Sequence, residues 1–434
     1  MVEPYNLSLT EASNQIHTGD LTPQELLESL LRRINSLESM LEAWVTVNID
    51  GAREAAKKLT REANKGEFRS TLHGIPVGVK DIYFTKGLRT TMGSPIYSGF
   101  VPQTDASIVT RLKEAGAIIM GKTETTEFAF LDPAPTRNPW NTKHTPGGSS
   151  SGSAAAVAAR MCPLAFGSQT GGSVTRPASF CGIAGIKPTY DLLSREGVYP
   201  LAWSLDHIGF MARNVADLTL TLGVLTGKKG LGKPRKPKIG LLTTYFNEAA
   251  EKEVASNFKK AIQSLRGSGA EVVEVDLPET FKLVHSAHRV IMFAESAAVH
   301  EENHKMDPSA YRINLRSQIV SGLTLSSSTY LRAQRIRGIF TDEMREAMEG
   351  VDVLITPSAP TPALRGLSST GDAAFNVPWS LTGFPTVNIP SGLTKDGLPL
   401  GVQLVAQPYE EKKLLSESLW CEAALPFDAK PSLQ

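Results

Sequence analysis

Leu26, Leu27, Leu30, Leu31, Ile34 and Leu37 recur at intervals of mostly three and four residues, the spacing of one apolar helix face. Thr22 stands ready to cap that helix, Pro23 fits its first position, and Glu25 supplies the acid of a capping box. The pattern predicts a helix over 22–42, and a second is expected over 52–64. The spacing then shortens. Residues 75–81, Ile-Pro-Val-Gly-Val-Lys-Asp, form a brief apolar run, and similar runs lie at 117–120, 239–242, 272–275, 352–357 and 400–405. Runs of that length read as buried strands. Helical patterns over 106–115 and 154–160, the second alanine-rich, fall among them. Strands alternating with helices imply an α/β fold, a sheet with helices on its faces.

Composition narrows the classes. The chain has 434 residues, 41% hydrophobic and 21% charged. That balance belongs to a folded chain, and the length suits about three ordinary domains or one large one. A net charge of +1 leaves nucleic acid and anionic membranes without their simplest attraction. Cys162, Cys181 and Cys421 are too few for a disulfide framework and fit a reducing, cytoplasmic setting. Residues 1–10 show no signal-peptide pattern. No run approaches ~18 apolar residues, since 154–166 is broken by Arg160 and Pro163. The run TGKKGLGKPRKPK at 226–238 reads as a solvated connector. It is either a boundary between an N-terminal half and a C-terminal lobe or a long surface loop.

Two short motifs match patterns that their context denies. GAIIMGKT at 116–123 fits GxxxxGK[ST], but a phosphate loop needs small or polar residues after a strand has ended. With Ile118, Ile119 and Met120 inside it, the segment is expected to be a buried strand delivering Gly121 and Lys122 to a turn. His300-Glu301-Glu302-Asn303-His304 fits HExxH, which on a helix can place two histidines on zinc. No third ligand follows nearby. The expected role is a solvated, charged helix end, and no metal or other cofactor is expected.

A denser signal runs from 145 to 188: TPGGSSSGSAAAVAARMCPLAFGSQTGGSVTRPASFCGIAGIKP. Glycines let a substrate approach the main chain. Gly171-Gly172-Ser173 follows a strand-like segment and can aim consecutive N–H groups at one spot, an oxyanion hole with Ser173 as nucleophile beside it. A serine needs a base, and no histidine lies in the block after His144. Lys80, in the apolar run 77–80, is the candidate, because burial leaves a lysine neutral near pH 7. A lysine reaching solvent from a strand end is the alternative.

The block from Gly147 to Pro188 resembles the signature of the amidase signature family. Residues 72–81 resemble the segment carrying that family's lysine, and 138–141, 116–128 and 352–406 are also similar to it. The resemblance implies a single large domain over 1–434, with a mixed central sheet, helices on both faces and a pocket over the signature block. It implies hydrolysis of a C–N amide bond through a seryl acyl-enzyme. The family's Ser-cisSer-Lys triad falls on Ser173, Ser149 and Lys80, its serines 24 positions apart. By the same resemblance Ser149 follows a cis peptide bond after Gly148 and relays the proton. Ser150 bonds near the lysine, and Thr170, Gly171, Gly172 and Ser173 form the oxyanion loop.

Ser151, Gln169 and Thr175 depart from the commonest pattern, which has Gly, Asp and Arg there. Ser151 and Gln169 resemble the branch holding malonamidase and carboxybiuret-type hydrolases. In that branch Arg176 either meets a substrate carboxylate or buttresses the loop. A second reading is the glutaminase component of a tRNA-dependent amidotransferase, which usually keeps Asp at the Gln169 position. A third is a non-catalytic binding protein. For an amidase the expected partner is a small-molecule amide, not nucleic acid or a membrane, with monomer or homodimer left open; the second reading would add a partner subunit and tRNA. Pocket-forming segments are expected at 83–91, 128–132, 290–295 and 375–379, with Met292, Phe293, Phe375 and Trp379 as an apolar wall or as core.

Overall fold

In the computed structural model the first helix forms over Pro23–Leu41 with both capping-box bonds in place. Glu25 N donates to Thr22 Oγ1 at 3.1 Å, and Thr22 N donates to the Glu25 carboxylate at 2.8 Å. The second helix starts earlier than expected, at Ile49, and runs to Ala63. The structure describes residues 3–228, 232–242, 244–425 and 427–433.

The strands are β1 Trp44–Val47, β2 Pro76–Lys80, β3 Ile118–Thr123, β4 Leu164–Gln169, β5 Ala184–Lys187, β6 His207–Ala212, β7 Lys238–Leu241, β8 Glu271–Glu274, β9 Val353–Pro357, β10 Thr386–Leu393 and β11 Pro399–Val405. They make one sheet in the order β1-β3-β2-β4-β6-β5-β10-β11-β9-β7-β8. The sheet is mixed. β3, β2 and β4 run parallel, as do β9, β7 and β8. The pairs linking β4 to β9 through β6, β5, β10 and β11 are antiparallel. Every residue of β2, β3, β4 and β11 is buried. Successive side chains point to opposite faces, so burial of each one requires both faces to be covered, here by helices.

The connector at 226–238 joins the helix Val215–Thr226 to β7, and the strands on either side of it belong to this one sheet. Residues 229–231 of the connector lie outside the described residues.

Two expectations are corrected here. β3 does not hand Gly121 and Lys122 to a turn. It continues through Thr123, because β1 pairs with that end (Trp44 with Thr123, Thr46 with Lys122, Val47 with Gly121). A Cβ on Gly121 would lie 2.2 Å from the Thr46 carbonyl oxygen, so the close pairing of β1 requires glycine there. The HExxH segment is not a wholly solvated helix end either. The helix Phe281–Met306 buries His300. Its ring lies 4.6 Å from that of Phe128, 5.8 Å from Tyr199 and 5.5 Å from Tyr311. Burial pushes the imidazole down to about 4. Only Glu301 and Glu302 turn outward, toward Lys305.

Candidate active site

β2 delivers Lys80 as its last residue. The parallel register sets Val79 against Phe166 on β4, so Lys80 reaches the end of β4. There Lys80 Nζ lies 2.8 Å from Ser168 Oγ and 2.7 Å from Ser149 Oγ. The lysine has no exposed surface. Burial lowers it to about 7, against the opposing pull of Asp206.

Ser149 comes from the other side of the site. It follows a cis peptide bond after Gly148 and precedes the fully buried helix Ser151–Ala158. Gly147, at φ 83°, turns the chain where a Cβ would stand 2.9 Å from Pro177 Cα, a position where other residues are strained. Ser150 sits beside the lysine's second partner: its Oγ donates to Ser168 O at 3.3 Å and accepts from Ser168 N at 3.2 Å.

The loop between β4 and the helix Thr175–Phe180 is held from behind. His288 Nε2 donates to Thr170 O at 2.8 Å, Ser380 Oγ to Gly171 O at 2.6 Å, and Arg176 N to Gly172 O at 3.0 Å. Burial lowers His288 to about 4, so it is a neutral donor. Gln169 Oε1 accepts the N–H groups of both Val174 and Thr175 at 3.0 Å. A carboxylate could do the same, so glutamine for aspartate preserves this support. Three successive carbonyls are thus pinned, which fixes the peptide planes around Ser173.

A cavity of about 510 Å³ opens over this loop, with Thr170, Gly171, Gly172, Ser173 and Arg176 in its lining. Ser173 faces it. A relay also needs a Ser149–Ser173 hydrogen bond, and this structure shows none among the described residues. Arg176 is 3% exposed. Its guanidinium donates to Gly148 O at 2.7 Å, Thr370 Oγ1 at 3.1 Å and Gly371 O at 2.9 Å. Burial brings it down to about 10, opposed by Asp372.

Of the expected pocket segments, 128–132 contributes Ala129, Phe130 and Leu131, and 290–295 contributes Met292 and Phe293. Segment 83–91 does not line this cavity. Tyr83 turns inward, donating its hydroxyl to Gly167 O at 2.5 Å. Phe375 and Trp379 are core, packed on Phe246 at centroid distances of 5.0 and 6.4 Å, and Val377 alone of that segment reaches the cavity. Sequence reasoning missed Ser168, Asp206, His285, His288, Arg289 and Asp372. The helical spacing of His285, His288 and Met292 was the one signal that placed some of them on a common face.

A mixed α/β sheet thus places a buried lysine bonded to two serines beside a glycine-rich loop that lines a cavity. The profile of the Amidase family matches residues 25–415, and the chain belongs to that family as an enzyme acting on amide C–N bonds. It is 36% identical over 468 residues to a component of the glutamyl-tRNA(Gln) amidotransferase of Geobacter metallireducens, covering 95% of this chain and 96% of that protein. A solved structure described as an amidase matches with a TM-score of 0.90 at 32% identity, covering 97% of this chain and 100% of that one. Another, described as a vestigial protein complex that reveals the origins of an s-triazine catabolic enzyme, matches with a TM-score of 0.88 at 29% identity. It covers 98% of this chain and 100% of that one. No described helix is long and apolar enough to cross a membrane.

Proposed function

We propose that the chain cleaves the C–N bond of a small amide through a seryl acyl-enzyme. The observation that carries this is the buried Lys80, lowered to about 7 and 2.7 Å from Ser149 Oγ. A neutral lysine accepts a proton from Ser149 as Ser149 accepts one from Ser173. Ser173 Oγ bonds to the carbonyl carbon, and N–H groups of the pinned loop receive the oxyanion. The C–N bond then breaks as the leaving nitrogen takes the proton back. Water hydrolyses the ester by the same relay run in reverse.

Similarity to the Geobacter protein favours a component of an amidotransferase complex over a free-standing amidase, since that relative carries the name of one. The cavity agrees with such a substrate. It is lined by Arg289 and Asp372, opposite charges that suit an amino-acid amide such as glutamine. Glutamine as ammonia donor, with one or more partner proteins, is therefore the reading of this amide that the relatives favour. The three cysteines are buried and free, and we place the protein in the cytoplasm.

The test is ammonia release from glutamine and from a panel of neutral and acidic amides, by the chain alone and with its co-purified partners. A phosphonofluoridate, a serine-directed reagent, should label Ser173 once. Glutamine turnover that appears only with a partner selects the amidotransferase reading. Turnover of another amide by the isolated chain selects the free amidase. Neither turnover nor Ser173 label would leave a non-catalytic binding protein.

A further inference from the structure

None of the steps above uses Asp206, yet it bonds the Thr170 hydroxyl of the glycine loop. It directly precedes β6, whose first residue, His207, pairs with Gln169 at the end of β4. The carboxyl group therefore sits opposite Thr170. Oδ1 accepts Thr170 Oγ1 at 2.5 Å, and Oδ2 accepts Leu201 N at 2.9 Å and Ala202 N at 3.0 Å. Asp206 and Ser168 together line a second cavity of about 210 Å³, which shares Ala129 and Leu201 with the catalytic one. Asp206 thus holds the Thr170 hydroxyl of the loop and shares a cavity with Ser168, whose hydroxyl accepts from Lys80.

We propose that Asp206 is a positioning residue of this site: through the Thr170 hydroxyl it fixes the oxyanion loop, and from across the smaller cavity its charge acts on Lys80. This rests on the acyl-enzyme reading. Removal from water raises the carboxyl to about 6, with its hydrogen bonds and Arg195 opposing, so it is mainly ionised at neutral pH. Its charge raises Lys80 and Tyr83. The groups facing it are Lys80 from β2, Tyr83 just beyond that strand, the Thr170 hydroxyl, and Arg195 from the segment after β5. His207, its neighbour on β6, is held neutral by burial. The carboxylate acts against the desolvation of the lysine: without it, Lys80 would lose its proton at a lower pH.

The rate of phosphonofluoridate labelling of Ser173 measures both effects without knowledge of the substrate. Its plateau at high pH reports the loop, and its midpoint reports Lys80. Asp206→Asn should move the midpoint down by about half a pH unit or more. Thr170→Val should lower the plateau about tenfold, and Thr170→Ser should restore it. A merely structural role would lower the melting temperature and leave the midpoint in place. An unmoved midpoint in folded Asp206→Asn, or Thr170→Ser as slow as Thr170→Val, overturns the proposal. Should Asp206→Asn fail to fold, the Thr170 pair still tests the loop contact, and Asp206→Glu, whose midpoint should stay near that of wild type, tests the charge. Wild-type protein that takes no label on Ser173 overturns the acyl-enzyme reading itself, a different result from labelling whose pH midpoint does not respond to Asp206.

Discussion

Lys80 and Arg176 are both cations removed from water, and the two have different outlets. Lys80 is lowered to about 7, so kcat/KM should climb through that pH as the lysine loses its proton. Lys80→Ala should cost at least about a thousandfold in kcat, because base and nucleophile act as a unit. Near wild-type turnover in that variant would move the base elsewhere. Arg176 stays charged and donates to Gly148 O, Thr370 Oγ1 and Gly371 O. Each bond from a charged donor contributes about 1.5–3 kcal/mol, and these favour buttressing over a carboxylate clamp. Arg176→Gln should therefore lower the melting temperature and slow acidic and neutral amides equally. A loss confined to the acidic member of a matched pair would restore the clamp. At this scale the sequence shows what is locally odd: a lysine ending an apolar strand, and serines among glycines. Ser168, Asp206 and His288 sit in ordinary surroundings along the chain. Only the pairing of β4 with β6, and the helix Phe281–Met306 crossing behind the loop, bring them to the site.

Elements with a strong local code were legible. The helix Pro23–Leu41 shows both a cap and a period, and Thr22→Ala should cost about 1 kcal/mol in urea unfolding. A loss below a few tenths would mean that the capping box is idle. Gln169 joins an element to the site. Gln169→Glu keeps an acceptor for Val174 N and Thr175 N and should retain most activity. Gln169→Ala strands two buried donors, at about 1–3 kcal/mol each, and should reduce turnover sharply. Equal activity in the two variants would show that the helix Thr175–Phe180 needs no such cap. β1, β5, β6 and β10 were not legible, for physical reasons. β5 is Ala-Gly-Ile-Lys, without a β-forming majority, and β10 is interrupted by Pro390 and Gly392, where its register with β11 slips. Their strand character comes from neighbours in the sheet rather than from propensity.

For the molecule as a whole, buried lysines link stability to pH. Lys80 and Lys187 are lowered by burial to about 7, and Lys122 to about 8. Unfolded lysines keep their protons to about pH 10. Above pH 7 these lysines leave the unfolded chain holding protons that the folded one has shed, which raises stability with pH. Glu38, Glu124 and Glu422, raised by burial to about 7, and Glu417, raised to about 8, keep protons in the folded chain and oppose this until they ionise. Burial pushes the Cys162 thiol up to about 12, which also opposes the lysines once an unfolded thiol ionises near about 8.5. The melting temperature should thus increase only once the buried carboxyls have ionised, between about pH 8 and about 8.5. A flat or falling curve would mean that these amines carry their charge when folded.

The sheet order has a consequence for how the chain is made. β10 and β11 come last among the strands, yet they lie between β5 and β9. A ribosome issues the chain from its N-terminus, so β5 and β9 each wait with an open edge while residues up to 385 emerge. Open edges are templates for the wrong partner. The nascent protein is two partial sheets with a missing seam, exposed to neighbouring chains on the same message. Slow decoding anywhere from the end of β9 through residues 386–405 would lengthen that exposure. Yield in a cell thereby depends on the speed and chaperoning of a stretch whose two strands contribute no residue to the lining of the catalytic cavity.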